Sequence, residues 1–426
     1  TLEDPFSLVP SKDTDGHGTF LAGLAAGTAF PLQNFTGAAP MADLAIVKLK
    51  PAKKYLRDYY LLSEDTPAFQ ENDIMMGIKY LRVIADRFRR PLVTLLGLGT
   101  NYGSHTGTSP LSQVTQNYGG FFGIATVIAA GNETGLAHHY AGRFSADTSF
   151  EDVELRVGEE EGKRGFILEL WSSAADLYTV GFPGGERISR IPILSNNETR
   201  IPFLLESTVI TVSYQLIEAG SGSQLVSMRF ERPSPGIWTI RVYNTQFLTG
   251  EYHMWLPVQG FISDETVFLK PDPSNTITVP GNSRLPITTG AYNHRNNSIY
   301  IHSSRGYTSR DYVKPDLAAP GVEILGPSVR ISAAFRPGLS SSVAAGTAPA
   351  FSRRTGTSAA AAITAGAVAN LLSWGIVMGN YPTMSEASIK SYLIRGAARN
   401  PSLTYPNKEF GYGTLDLLQT FLRLRE

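Results

Sequence analysis

Cysteine is absent from the chain, which excludes disulfide cross-links and thiolate metal centres and fits either a cytosolic or an exported, cysteine-poor setting. An excess of either charge is missing too. The 37 Lys and Arg balance the 37 Asp and Glu, so no basic stripe points to nucleic acid and no acidic tail to a solvating segment. There are no low-complexity tracts: 41 glycines and 26 prolines are dispersed through 426 residues, as in a loop-rich α/β protein of two or three domains. The opening Thr1-Leu2-Glu3-Asp4-Pro5 has neither an initial Met nor a signal-peptide pattern, and is compatible with the remainder of a longer precursor. One stretch, Ala359 to Gly379, carries no charge and is long enough to cross a bilayer. Its alanines, with Thr364, Asn370 and Ser373, favour close-packed burial instead, so no membrane span and a soluble chain are expected.

What is present begins with Asp13-Thr14-Asp15-Gly16, a turn, followed by Leu21, Leu24, Ala25 and Thr28 at helical spacing. This places His17 near a helix start, where taken alone it reads as a capping or turn histidine. Gly37-Ala38-Ala39-Pro40 leads into Ala42 to Leu49, expected to be a buried strand, and Lys53 to Thr66 reads as a surface loop. Asn72 to Phe88 is periodic as a helix. Pro91 to Leu96 and Ile124 to Ala130 are continuous apolar runs ending in Gly97-Leu98-Gly99-Thr100-Asn101 and Gly131-Asn132-Glu133. Alternation of such runs with helices predicts a parallel sheet covered on both faces, with functional loops beyond the carboxyl ends of its strands.

From about residue 150 the period changes to two: Val153/Leu155/Val157, Phe166/Leu168/Leu170, Ile210/Val212/Tyr214/Leu216, Val226/Met228/Phe230 and Trp238/Ile240/Val242. Turn clusters, including Gly181-Phe182-Pro183-Gly184-Gly185, separate them. Short alternating strands at this spacing predict an antiparallel sandwich or jelly roll inserted into the α/β unit. The α/β character returns with Thr276 to Gly281, Leu285 to Ala291 and Pro315-Asp316-Leu317-Ala318-Ala319-Pro320-Gly321. Then come Gly356-Thr357-Ser358, a run of small residues suited to a tightly packed helix, and a probable helix from Met384 to Ala398. A serine at such a helix start lies where the helix dipole favours negative charge, although Gly-Thr-Ser by itself is a weak signal.

Acyl transfer by serine needs a nucleophile, an imidazole base, an acid that orients it and donors for the oxyanion. His17, Asn132 and Ser358 lie far apart in sequence, each in a small-residue loop or helix start. Gly16-His17-Gly18-Thr19, Ala129-Ala130-Gly131-Asn132 and Gly356-Thr357-Ser358, in that order, resemble the histidine, oxyanion and serine motifs of the subtilisin-like serine peptidases, the subtilases. Gly37 to Pro40 and Pro315 to Gly321 are similar to further signatures of that family. The resemblance implies a parallel-sheet, three-layer α/β fold with an inserted antiparallel β jelly-roll or sandwich domain. Its parts would be residues 1–149 and 261–426 for the catalytic unit and 150–260 for the insertion. It also implies Ser358 as nucleophile, His17 as general base and acid, and Asn132 with the Ser358 N–H as oxyanion donors. Leu96, Gly97, Leu98, Gly99 and Thr100 would receive an extended substrate as an added strand, and Ala129, Ala130 and Gly131 would wall the primary specificity pocket. A polypeptide substrate is implied, with the chain's own propeptide or N-terminal segment as a further partner; no cofactor is expected, and no metal site is read from these residues although calcium is common in the wider family. The insertion is similar to that of clostridial subtilases, including spore-germination proteases, some of which have lost catalytic residues. A secreted, cell-envelope or spore-associated bacterial setting follows.

This sequence departs from the family in three places. Ala359 stands where Met is usual after the serine, and Ala362 where Pro is usual. The family's aspartate ends a strand well upstream of the histidine, and neither Asp13 nor Asp15 is assigned that role. Three explanations stay open: the segment carrying the acid was cleaved or left out of this chain, another acid such as Asp4 or Asp43 serves, or the protein is a pseudoenzyme. His138-His139 reads as structural, since adjacent side chains point apart and no Glu completes a zinc pattern. No calcium-loop pattern occurs. Two competing functions are a non-catalytic scaffold or sensor, and a carbohydrate-binding insertion using Trp171, Trp238 and Trp255.

Overall fold

The computed structural model describes residues 11–424 except 146, 174, 184–189, 194–197, 247 and 330–349. Asp4 and the Gly184-Gly185 turn lie outside the described residues. The α/β unit is built on the strand Ile124–Ala129, all of it buried. It pairs in parallel with Leu92–Leu96 on one side (Leu92 opposite Ile124) and Ile287–Asn293 on the other (Ile287 opposite Val127). Ile287–Asn293 pairs in turn with Leu317–Pro320 in parallel and with Ser298–Ile299 antiparallel, so the sheet is mixed.

Alternation along the central strand divides its side chains between two faces. Ala125, Val127 and Ala129 pack against Ala361, Ala365 and Val368 of the helix Thr357–Leu372. Ile128 and Leu96 pack against Ile74, Ile78 and Leu111, from the helices Glu71–Phe88 and Pro110–Gly119 on the opposite face. The helix Thr357–Leu372, continued by a wide turn to Val377, is apolar and long enough to cross a membrane. Ala359, Ala360, Ala361 and Ala362 are nevertheless covered by protein: small side chains let it approach both the sheet and the helix His17–Ala26. A buried ion cluster fixes the strand Leu317–Pro320. Asp316 accepts from Lys314 and Lys390, both at 2.7 Å, and from the Thr288 N–H.

Two readings require correction. Ala42 to Leu49 is not a buried strand: it has no ladder partner among the described residues, and Leu44 and Ile46 are 53% and 65% exposed. An apolar run becomes a strand only where a neighbouring backbone meets its N–H and C=O groups. Lys53 to Thr66 is more than a loop, since it contains the helix Lys54–Tyr59. Arg229 clasps it by donating to the Asp58 and Tyr59 carbonyls, and Arg164 by donating to that of Leu62.

Between residues 139 and 268 the chain forms two antiparallel sheets. One has four strands, Val267–Phe268, Phe150–Val157, Gly236–Gln246 and Leu177–Gly181. The other has six, His139–Arg143, Glu251–Trp255, Gly165–Ser172, Gln224–Glu231, Thr208–Gln215 and Thr199–Phe203. The alternating residues read from sequence meet in one core, including Val153, Leu155, Phe166, Leu168, Ile210, Val212, Met228, Phe230 and Ile240. Leu216, at the end of its strand, is exposed instead. Trp171, Trp238 and Trp255 are all buried, with their indole N–H groups given to Glu169, the Ser234 carbonyl and the Asn275 carbonyl. Their faces are therefore not available to stack on sugar.

Histidines close the seam between the two units. His105 stacks on Trp255 with ring centroids 3.9 Å apart, and donates Nε2–H to the Asn101 carbonyl. His139 Nδ1 faces the Asp272 carbonyl, which can only accept, so Nδ1 carries the proton and Nε2 accepts from His253 Nδ1 at 3.0 Å. Burial, the largest cause, lowers the pKa of His105 and His253 to about 4 and that of His139 well below its ordinary value. The unfolded chain protonates these imidazoles below about pH 6.5, whereas the folded protein resists until about pH 4. Stability is thus fully present above the unfolded pKa and is lost as pH falls through this window. Urea midpoints should hold steady above about pH 7 and drop between about 6.5 and 4. His105→Phe, which keeps the stack, should lessen that drop; an unchanged profile would remove His105 as a cause.

Candidate active site

The helix His17–Ala26 starts from a turn built by Asp13, whose carboxylate accepts the N–H groups of Asp15, Gly16 and Thr19 and the Thr19 hydroxyl. Partial burial alone would raise its pKa, but the bonds from Thr19, Gly16 and Asp15 prevail and hold it at about 2. Asp15 accepts the His17 backbone N–H. Both carboxylates therefore shape the turn, and among the described residues no carboxylate is hydrogen-bonded to the His17 ring. Asp43 lies at the surface beside Arg90.

Three elements converge on Gly97, just beyond the strand Leu92–Leu96. A Cβ placed on Gly97 would lie 2.4 Å from Leu21 Cδ1, 3.4 Å from His17 Cε1 and 3.5 Å from Ser358 Cβ. The absence of a side chain at this position lets Leu21 of the histidine helix pack where a Cβ would stand, with His17 and Ser358 at contact distance around it. Ser358 Oγ donates to the Gly97 carbonyl at 3.1 Å. Burial, the largest cause, lowers the pKa of His17, and the Arg354 guanidinium acts in the same direction against Asp15 and Asp13. The imidazole is accordingly neutral near pH 7, the form that accepts a proton.

Asn132 is held by the serine helix itself. Its Oδ1 accepts the Thr357 N–H at 3.0 Å and the Thr357 hydroxyl at 3.1 Å. A backbone N–H can donate only to the amide oxygen, so Oδ1 is the atom that faces Thr357 and Nδ2 takes no part in these bonds. The Thr357 hydroxyl also accepts the Gly131 N–H at 3.1 Å. One buried side chain thus ties the loop after Ile124–Ala129 to the residue before Ser358. The Ser358 N–H lies in the first turn of its helix, where no intrahelical acceptor exists.

Other residues expected to contact substrate differ in what they offer. Leu96 and Leu98 pack in the apolar cluster with Ile74 and Leu111, and the Thr100 N–H and C=O are both taken by Val279. Ala129 and Ala130 are buried, and Ala130 is bonded to Thr289 and Thr278. Gly131 O accepts from Ser304. Beside Asn132, Glu133 accepts from Asn101, His138 and the Gln259 N–H, and His139 joins the seam described above. Thr357 was legible only as part of Gly-Thr-Ser, and Glu133 and Asn101 carried no signal beyond adjacency to glycine-rich turns.

The profile of the subtilase family matches residues 265–413. Among solved structures, the CspB protease of Clostridium perfringens is 31% identical, with a TM-score of 0.83 over 100% of this chain and 83% of that one. The prenylagaramide maturation protease PagA is 25% identical over 35% of this chain and 46% of its own, with a TM-score of 0.27. A cold-adapted subtilisin-like serine proteinase is 13% identical over 95% and 77%, with a TM-score of 0.42. No curated protein matches.

Thr357→Val keeps the shape of the bridging side chain but leaves the half-buried Gly131 N–H without its acceptor. A loss of about 1–3 kcal/mol is expected, read by urea unfolding, with Thr357→Ser close to wild type. Loss in Thr357→Ser with Thr357→Val close to wild type would show that the methyl group, not the hydroxyl, matters.

Proposed function

The chain belongs to the subtilase family, and we propose that it is a serine endopeptidase acting on extended polypeptide through Ser358, His17 and Asn132. The observation that carries this reading is the meeting of His17 and Ser358 across Gly97, beside Asn132, whose amide oxygen is held by the start of the serine helix. Ser358 Oγ attacks the substrate carbonyl carbon while His17 takes its proton. The oxyanion is received by Asn132 Nδ2–H and the Ser358 N–H, at the positive end of the helix dipole. His17 then protonates the departing amine, and water cleaves the acyl-enzyme by the same steps in reverse.

The acid partner of His17 is the part of a Ser-His-Asp triad that the described residues do not supply, and without it turnover falls by about 10⁴. Residues 97–99 offer an extended backbone for strand addition by substrate or by the chain's own N-terminal segment. We read residues 150–260 as a jelly-roll domain inserted between the catalytic parts 1–149 and 261–426. This is supported by two antiparallel sheets over one core.

A fluorophosphonate probe should label full-length protein at Ser358, and Ser358→Ala should abolish the label. Asn132→Ala should slow peptide hydrolysis by about 10²–10³ with little change in KM. Labelling should fail in acid only below the ordinary imidazole range, because His17 is held neutral there. Protein that resists the probe, with biological output unaffected by Ser358→Ala, would instead be a scaffold on this fold.

A further inference from the structure

The end of the sheet opposite Ser358 carries a surface that the proteolytic reading does not use. The strands Leu92–Leu96 and Ile124–Ala129 begin there, and the serine helix, running from the site, ends there at Val377. At about 1.5 Å per residue its 21 residues span about 30 Å. Phe88, Phe121, Phe122, Val377 and Met378 are 65%, 53%, 65%, 53% and 71% exposed at this end. They stand on three turns joined by backbone contacts. The Leu92 N–H donates to the Gly123 carbonyl and the Gly123 N–H to the Met384 carbonyl, both at 2.8 Å. A Cβ on Gly123 would lie 3.7 Å from Pro91 Cβ and 4.0 Å from Ile376 Cγ1, so residues 121–123 sit between residues 88–91 and 376–378.

The chain is neutral as a whole, but this end is not. Residues 79–90 hold five Lys or Arg against the single Asp86, whereas residues 110–123 and 371–384 carry no charge at all. Asp86 is taken by Arg82 at 2.8 Å, and the Arg82 guanidinium also lies 4.9 Å over the Phe121 ring. Arg90 pairs with Asp43 at 3.3 Å. Arg87 and Arg89, on either side of Phe88, are exposed and have no ion-pair partner among the described residues. Apolar tips and uncompensated cations therefore share one face.

We propose that this end of the molecule docks on an anionic lipid surface, with Phe88, Phe121, Phe122, Val377 and Met378 inserted at the headgroup boundary and Arg87 and Arg89 on lipid phosphates. Both halves of the face match that partner. The boundary between headgroups and acyl chains takes aromatic and aliphatic side chains, and a negative leaflet attracts each nearby guanidinium. A second copy of this chain meeting the same face would bring the same cations together, a like-charge juxtaposition that costs affinity. Because the serine helix separates the two ends, docking leaves Ser358 facing away from the lipid and open to polypeptide. The inference does not depend on the protease reading.

Cosedimentation with lipid vesicles tests it. Full-length protein should bind vesicles of phosphatidylcholine and phosphatidylserine mixed about two to one, and bind phosphatidylcholine alone about tenfold more weakly or worse. Phe121→Ser with Phe122→Ser should weaken binding to the mixed vesicles by about tenfold or more. Arg87→Gln with Arg89→Asn should do the same by about tenfold; Asn suits the left-handed backbone at residue 89, where φ is 52°. These side chains are exposed, so urea midpoints of both double variants should match wild type and separate lost docking from lost folding. Wild type that binds neither vesicle, that binds both equally, or whose binding neither pair of substitutions moves overturns the proposal. A dimer in lipid-free solution that the Phe121→Ser, Phe122→Ser pair dissolves, seen by light scattering, also overturns it, because a second copy would then be the occupant.

Discussion

The close approach at Gly97 is the constraint on which the rest of the site depends. The histidine helix, which brings Leu21 and His17, and the serine helix, which brings Ser358, lie far apart in sequence, and all three side chains surround the one position where a Cβ would stand. Bringing two helix starts to one strand end also requires small residues along the helices, because side chains set the distance between packed axes. The alanines from 359 to 362 meet that need against the sheet and the histidine helix. The departure from the family at Ala359 and Ala362 leaves the helix intact through Leu372, and both side chains fall on buried positions.

Elements whose formation depends on local period were legible in the chain. The helix after Asp13-Gly16 buries Leu21 and Leu24 of the spacing read for it, although Thr28 lies past its end and is exposed. The strand Ile124–Ala129 is apolar throughout and buried throughout, and the alternating strands from 150 onward carry apolar residues at the spacing of the face they bury. What was not legible depends on partners distant in sequence. Ala42 to Leu49 has the composition of a strand, yet composition cannot state which backbone will lie beside it. The tryptophans could be sugar platforms or core by residue type, and the sheet register decided for the core. Asn132 was recognisable from its motif, but the orientation of its amide depends on Thr357, more than two hundred residues away.

The β unit is joined to the site by more than its two chain connections. Glu133 follows Asn132 directly, and its buried carboxylate gathers Asn101 from the loop after Leu92–Leu96, His138 from the start of the β unit and the Gln259 N–H from its end. Asn101 also donates to the Leu256 carbonyl, and the stack of His105 on Trp255 covers the same junction. A carboxylate this deep is tolerated only while its oxygens are met by donors, and most of those donors belong to the β strands and their ends. The geometry of the loop bearing Asn132 is therefore set from two sides: Thr357 fixes the amide from the serine helix, and the β unit fixes the residue that follows. The β unit is thus built into the loop that bears Asn132 rather than appended to it.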